Sequence, residues 1–160
     1  MLSVSHMVYR LLIALFLGAL VGFEREVVGK EAGIRTAMLV SAGSCMFSLI
    51  AISLPYLVAI DAANLPEVVA RNSGFLGVIA NIVVGIGFLG AGIILKTEEH
   101  IRGLTTAAVI WATAAIGTLV GVGLIAFAAV SAVIMSGLLY GMRRLRLYER
   151  IRPYTTIESQ

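Results

Sequence analysis

Six charged side chains, Glu24, Arg25, Glu26, Lys30, Glu31 and Arg35, crowd into the fifteen residues Gly22–Thr36 of a chain that has only 12 Lys and Arg and 9 Asp and Glu in 160. Acidic and basic groups at this spacing can pair, and pairing lowers the cost of holding them beside a low-dielectric medium. The same groups could instead bind a ligand or gate a passage. Glu24, Arg25, Glu26, Arg35 and Thr36 are the candidates there, joined by Thr105, Thr106 and Asn81 from the second half. Other chemistry is sparse. There is no Ser-His-Asp arrangement, no phosphate-cradling loop and no HExxH motif, so catalysis, a metal site and a cofactor are not expected. The lone Cys45 lies in an apolar run, which excludes an intrachain disulfide and suits a small packing residue.

The surrounding elements must be membrane helices. The chain is 59% hydrophobic and 13% charged, and its mean hydropathy is +0.99. A spanning helix needs about 20 mostly apolar residues. Leu2–Phe23 supplies one, with Arg10 near its end where it can snorkel; the loose likeness to a signal peptide is outweighed by the apolar tracts that follow. Thr36–Ile60 supplies a second, expected to stop near Leu54 because Pro55 follows. Asn72–Leu95 supplies a third, and the uncharged run Gly103–Met142 is long enough for two more, turning at Gly117, Gly121 and Gly123. Between the second and third, Asn64–Leu65–Pro66–Glu67 reads as the start of a short interfacial helix. The expectation is an all-α, polytopic membrane protein: a five-helix membrane domain over residues 1–142 and a short basic tail over 143–160.

Basic residues set the orientation. Ten of the twelve Lys and Arg fall after the first, third and fifth spans, leaving Arg10 and Arg71 on the other face. The positive-inside rule then puts the N-terminus outside and the C-terminus in the cytoplasm. Basic residues in this arrangement serve topology and contact with membrane lipid, so nucleic acid is not an expected partner.

Among the intramembrane residues, Asn81 should face other helices and hydrogen-bond there, while Ser41, Ser44, Ser48, Thr113 and Thr118 can bond back to their own helices. No Asp, Glu, Lys or Arg occupies the centre of the second to fifth spans, which argues against a carboxylate-lined cation pore in one monomer. Gly85, Gly87, Gly90 and Gly92 crowd eight residues of the third span. They suit either close helix packing or a broken helix lining a cavity. Small-xxx-small pairs at Gly18 and Gly22, Gly117 and Gly121, and Gly137 and Gly141 also favour close contacts and a homo-oligomer. Trp111, well inside its span, reads as a packing residue. Finally, Gly33-Ile34-Arg35-Thr36-Ala37 is echoed by Gly103-Leu104-Thr105-Thr106-Ala107. The echo reads either as a parallel repeat of helices one and two with three and four or as a coincidence of membrane composition.

Three blocks, GFEREVVGKEAGIRTAMLVSAGS from Gly22, GIGFLGAGIILK from Gly85 and IRGLTTAAVIWATAAIG from Ile101, closely resemble the MgtC/SapB family of bacterial inner-membrane proteins. The resemblance covers Leu11–Tyr140. It implies a five-helix domain, a link to magnesium limitation, acid stress and survival in host cells, and, for some members, contact with the membrane sector of the F-type ATP synthase. Transport activity in the family is doubtful. The motif residues carried over are Glu24, Arg25, Glu26, Gly33, Arg35 and Thr36, then Gly85, Gly87, Phe88, Gly90 and Gly92, then Gly103, Thr105, Thr106 and Trp111. Two departures stand out: Gly77 occupies a position where many relatives have Arg, and the soluble domain that others carry after the fifth helix is missing before Gln160.

The expected function is therefore a stress-linked membrane protein that binds another membrane protein or itself. The rival is an ion transporter or channel, for magnesium or a small anion, gated by Glu24, Arg25, Glu26 and Arg35.

Overall fold

A computed structural model describes residues 2–59, 65–71, 74–96 and 101–144. The order of elements is α1 Val4–Val27, α2 Ile34–Val58, α3 Leu65–Arg71, α4 Gly74–Ile93, β1 Leu95–Lys96, β2 Ile101–Arg102, α5 Leu104–Val122 and α6 Ile125–Arg144. Four helices, α1, α2, α5 and α6, are long and apolar enough to cross a membrane, and the apolar part of α4 described side chain by side chain is the shorter Gly77–Ile93. The all-helical expectation needs one small amendment: β1 and β2 pair antiparallel, Leu95 opposite Arg102 and Lys96 opposite Ile101. This ribbon joins α4 to α5 as a hairpin.

The bundle is organised around α2 and α5, which pack against each other along their lengths. On one side of this pair lie α1 and α6; on the other lies α4. Two apolar clusters follow from that layout. Ala14, Leu17 and Val21 of α1 meet Cys45 and Leu49 of α2, Val109, Ile116 and Val120 of α5, and Ala128 and Ala132 of α6. Across the pair, Ala32, Val40, Ile110 and Ala114 receive Ile82, Ile86 and Ile93 of α4.

Glycine makes the close approaches possible. A Cβ on Gly18 would lie 2.6 Å from the Ala37 carbonyl oxygen, and one on Gly22 would lie 2.7 Å from the Ile34 Cα, so α1 meets α2 backbone to backbone. From the opposite side, Gly121 of α5 leaves the same kind of space, 2.7 Å from the Cys45 carbonyl oxygen, and Gly117 abuts the carbonyl of Ser41. Without water inside the bilayer to drive apolar association, such van der Waals fit is what holds helices together. Gly137 and Gly141 carry the same spacing but have no neighbour within 4 Å.

Several expected boundaries move. α1 continues past Phe23 through Glu24, Arg25 and Glu26, so the charged stretch is largely helical and only residues 28–33 form the turn. α2 does not stop at Leu54. Pro55 sits in its final turn, where a missing N–H costs one bond, and the Ala59 amide still reaches the Pro55 carbonyl at 3.1 Å. Gly117 and Gly121 are inside α5, and Gly123 alone, at φ 102°, makes the turn to α6. α4 is continuous through Gly85, Gly87, Gly90 and Gly92, which removes the broken-helix alternative. The short helix expected after Pro55 is α3, although Asn64 itself lies outside the described residues, as do His100 and the tail from residue 145.

Of the hydroxyls expected to bond back, Ser48 reaches the Ser44 carbonyl at 2.8 Å, Thr113 the Val109 carbonyl at 2.7 Å and Thr118 the Ala114 carbonyl at 3.0 Å. Ser41 departs from this pattern: its Oγ is buried between helices with no hydrogen-bond partner.

Candidate functional site

Glu26 and Glu31 order the charged turn by reaching two helix N-termini. After α1 ends, the Gly29 amide donates to the Glu26 carbonyl and the Lys30 amide to the Arg25 carbonyl, each at 3.0 Å. Gly29 adopts φ 66°, the left-handed conformation common where helices end. The chain then enters α2 through Gly33, which has no side chain to cap the helix. Glu26 supplies the cap from eight residues upstream: its Oε2 accepts from the Ile34 amide at 3.0 Å. A carboxylate there satisfies a free N–H and suits the positive end of the helix. A Cβ on Gly33 would meet that carboxylate, so a side chain there would have to displace the Glu26 cap.

The second N-terminus is treated similarly. Gly103, at φ 86° and pressed against the Ile93 carbonyl, precedes α5 and also offers no side-chain cap. Glu31 comes across from the first turn, and its Oε2 accepts from Thr106 Oγ1 at 3.0 Å. Thr106 is buried, so this bond fastens the α1–α2 connection to α5. Glu31 was not among the residues singled out from the sequence. Its signal was geometric: the carboxylate in the turn facing the second Gly-aliphatic-x-Thr-Ala start.

A backbone hydrogen bond at Glu31, then the Thr106 hydroxyl, with weaker help from Lys30 and Arg25, hold the Glu31 carboxyl below its ordinary value of 4.5, against a small opposing effect of desolvation. A depressed folded value means that the tether contributes fully above the ordinary carboxylate pKa and is lost as pH falls through the lowered one. The connection is thus expected to stay fastened through neutral and mildly acid conditions. Thr106→Val should move the Glu31 titration up toward 4.5 when followed by carboxyl carbon NMR. A wild-type Glu31 that titrates at or above that value would contradict the assignment.

Arg25 lies deepest, 5% exposed. Its Nη1 stands 3.5 Å from Glu24 Oε2, with both side chains nearly buried. This is an ion pair without a hydrogen bond's geometry, and Glu24 Oε2 and Arg25 Nε are left buried without hydrogen-bond partners among the described residues. Orphaned polar atoms at such a place mark either a strain reservoir or a site that something else completes.

The remaining candidates separate. Arg35 and Thr105 are exposed, Thr36 is half-buried, and none joins the Glu24–Arg25 pair. Asn81 lies about 18 Å along α4 from Ile93 at the usual helical rise, too far to belong to the charged end. It is exposed, lining with Val40, Ser44, Phe47 and Gly85 a groove of about 450 Å³ between α2 and α4. The hydrogen bond expected of Asn81 within the bundle is not found among the described residues. Gly90 touches the Ala107 side chain, but Gly85, Gly87 and Gly92 have nothing within 4 Å. Trp111 is 51% exposed and is no core residue. Gly85 borders the groove between α2 and α4, and Gly87, Gly92 and Trp111 are exposed. Among the described residues no group of three or more His, Cys, Asp or Glu could hold a metal ion.

Comparison with known proteins is consistent with this reading. The MgtC family matches residues 11–148. "Protein MgtC" of Brucella abortus (strain 2308) is 43% identical over 120 residues, covering 75% of this chain and 44% of that protein. "Putative magnesium transporter YhiD" of Escherichia coli (strain K12) is 40% identical over 120 residues, 75% of this chain and 53% of its own length. "Protein SrpB" of Synechococcus elongatus is 40% identical over 124 residues, 72% of this chain and 63% of its own. The chain spans about half the length of the curated relatives it matches. No solved structure matches it. With the family match running from the middle of α1 beyond the end of α6, the chain belongs to the MgtC family.

Proposed function

We propose that this protein is a multi-pass protein of the bacterial inner membrane that serves adaptation to magnesium limitation or acid stress by lateral association, with another membrane protein or with itself. The observation that carries this reading is the set of exposed glycines on α4. A Cβ on Gly85, Gly87 or Gly92 would meet nothing within 4 Å among the described residues, while Phe88 between them is 85% exposed. Gly18, Gly22, Gly117 and Gly121 of the same molecule are each filled by an opposing helix, whereas Gly137 and Gly141 are not. An unfilled set on one helix suits an opposing helix from outside the chain.

In this reading α4 is the fifth span. Its 20 residues extend about 30 Å, the thickness of the hydrocarbon layer. Antiparallel packing then puts the turn after α1, the β1–β2 ribbon and the end of α6 together on the cytoplasmic side, with the N-terminus outside, as the basic residues ask. The two hairpins, α1–α2 and α4–α5, enter their second helices alike: the Ala37 amide reaches the Gly33 carbonyl at 3.1 Å and the Ala107 amide the Gly103 carbonyl at 2.8 Å. That likeness favours the parallel repeat. A partner such as the membrane sector of the F-type ATP synthase is the candidate that the family resemblance suggests.

The rival reading, an ion transporter, is supported by the name of the Escherichia coli relative. The continuous α4 favours association over it.

Gly85→Leu and Gly92→Leu separate function from folding. With no neighbour to displace, each should leave thermal unfolding in detergent within about 0.5 kcal/mol of the parent. Each should also abolish complementation of a deletion strain in low-magnesium medium and reduce cross-linking from a probe at Val84. Full complementation by both variants would end the association reading. Magnesium flux in liposomes of the purified chain, abolished by Glu24→Ala and Arg35→Ala, would favour the transporter.

A further inference from the structure

At the end of the bundle opposite the charged turn, a cavity of about 310 Å³ opens between α1, α2 and α5, lined by Leu2, Arg10, Ile52, Ser53, Tyr56 and Val122. Arg10 is the sole charged group in this lining among the described residues. Its Nη1 donates to the Gly121 carbonyl at 2.7 Å, near the negative end of α5. A Cβ on Gly123 would lie 3.0 Å from Arg10 Nη2, so the turn glycine also makes room for the guanidinium. The helix end offsets part of the Arg10 charge, but a guanidinium has five N–H donors and a single hydrogen bond from it is found among the described residues.

Ser53 gives the second, independent observation. It is 6% exposed, and its Oγ has no hydrogen-bond partner among the described residues. Ser48 and Thr113 spend their hydroxyls on the carbonyl four residues earlier; Ser53 does not. A buried hydroxyl without a partner among the described residues, on a side chain that lines the same cavity as a guanidinium, is an arrangement that an acceptor-rich ligand can complete.

We propose that this cavity is an anion site that takes a phosphate group, held by the free N–H groups of Arg10 and by the Ser53 hydroxyl. The phosphate could be carried by a phospholipid or be free in solution. Two features suit a lipid. Leu2, Ile52 and Val122 offer apolar walls beside the polar ones. Arg10 also lies six residues into α1, about 9 Å from its start, the depth at which a lipid headgroup meets the hydrocarbon.

The test uses the full chain purified in detergent. Native mass spectrometry compares phosphatidylglycerol with diacylglycerol, which has the same chains without phosphate, and phosphorus NMR follows inorganic phosphate. The expected result is preferential retention of phosphatidylglycerol, weakened about ten-fold by Ser53→Ala, as for loss of one charge-assisted hydrogen bond, and at least as much by Arg10→Gln. Should Arg10→Gln fail to fold, Ser53→Ala alone decides, since it removes no packing atoms beyond one oxygen. Phosphate binding without lipid preference, lost in the same variants, would support the site and assign its source to solution. Equal retention of both lipids with no binding of inorganic phosphate, or binding of the phosphate probe unchanged in Ser53→Ala, would overturn the proposal.

Discussion

Gly117→Val is expected to yield no folded bundle, or one destabilised by more than about 3 kcal/mol. Its Cβ would fall on the Ser41 carbonyl, part of the backbone of α2, and no rotamer change relieves a backbone collision. The helices would have to separate, and α2 and α5 are the pair around which everything else packs. Gly137→Val provides the control, because it is flanked by the same small-xxx-small spacing and meets nothing within 4 Å. That variant should stay within about 0.5 kcal/mol of the parent. Unfolding by a graded denaturing detergent measures both. Comparable losses at the two positions would mean that glycine acts here through helix propensity and not through fit.

Arg25→Met is the second large effect. Arg25 is 5% exposed and stands beside a nearly buried Glu24. Removing one partner of such a pair costs about 3–5 kcal/mol, mostly because the other charge is left uncompensated. The decisive comparison is the double variant Glu24→Gln with Arg25→Met. Removing both charges should recover more than half of the loss, giving a coupling energy well above the few tenths found between independent sites. If the double variant is as unstable as the sum of the singles, the pair is not coupled and Arg25 acts by packing alone.

Much of the fold could be read from charge placement. The uncharged intervals located the helices because the bilayer sets their length, and the same logic anticipated two helices in the run after Gly103. The errors came where local rules met tertiary demands. Pro55 ends nothing because it falls in a last turn already losing its bonds. Phe23 ends nothing because Glu26 is needed one turn farther on, to reach the Ile34 amide.

The glycines taught a different lesson. Gly117 and Gly137 are alike in sequence, and only the course of α2 distinguishes a clamp from a free surface. For the candidate site, the clustering of charge was visible and its division of labour was not. Glu26 and Glu31 serve helix ends, Glu24 and Arg25 are buried together, and Arg35 turns outward. Thr106 and Thr105 are adjacent and similar, yet one is buried against Glu31 and the other is exposed. Arg10, read as a snorkelling intruder, proved to hold the end of α5 from 111 residues away.

That long bond, with the packing of α1 against α6, has a consequence for synthesis. α1 leaves the ribosome well before α6, yet Ala14 and Leu17 share one cluster with Ala128 and Ala132. The α1–α2 hairpin can clamp early through Gly18 and Gly22, but one flank of α1 must remain in contact with lipid or an insertase until α6 has been inserted. A ribosome stalled after α5 would therefore hold a bundle whose polar and backbone contacts are largely made and whose first helix is still uncovered.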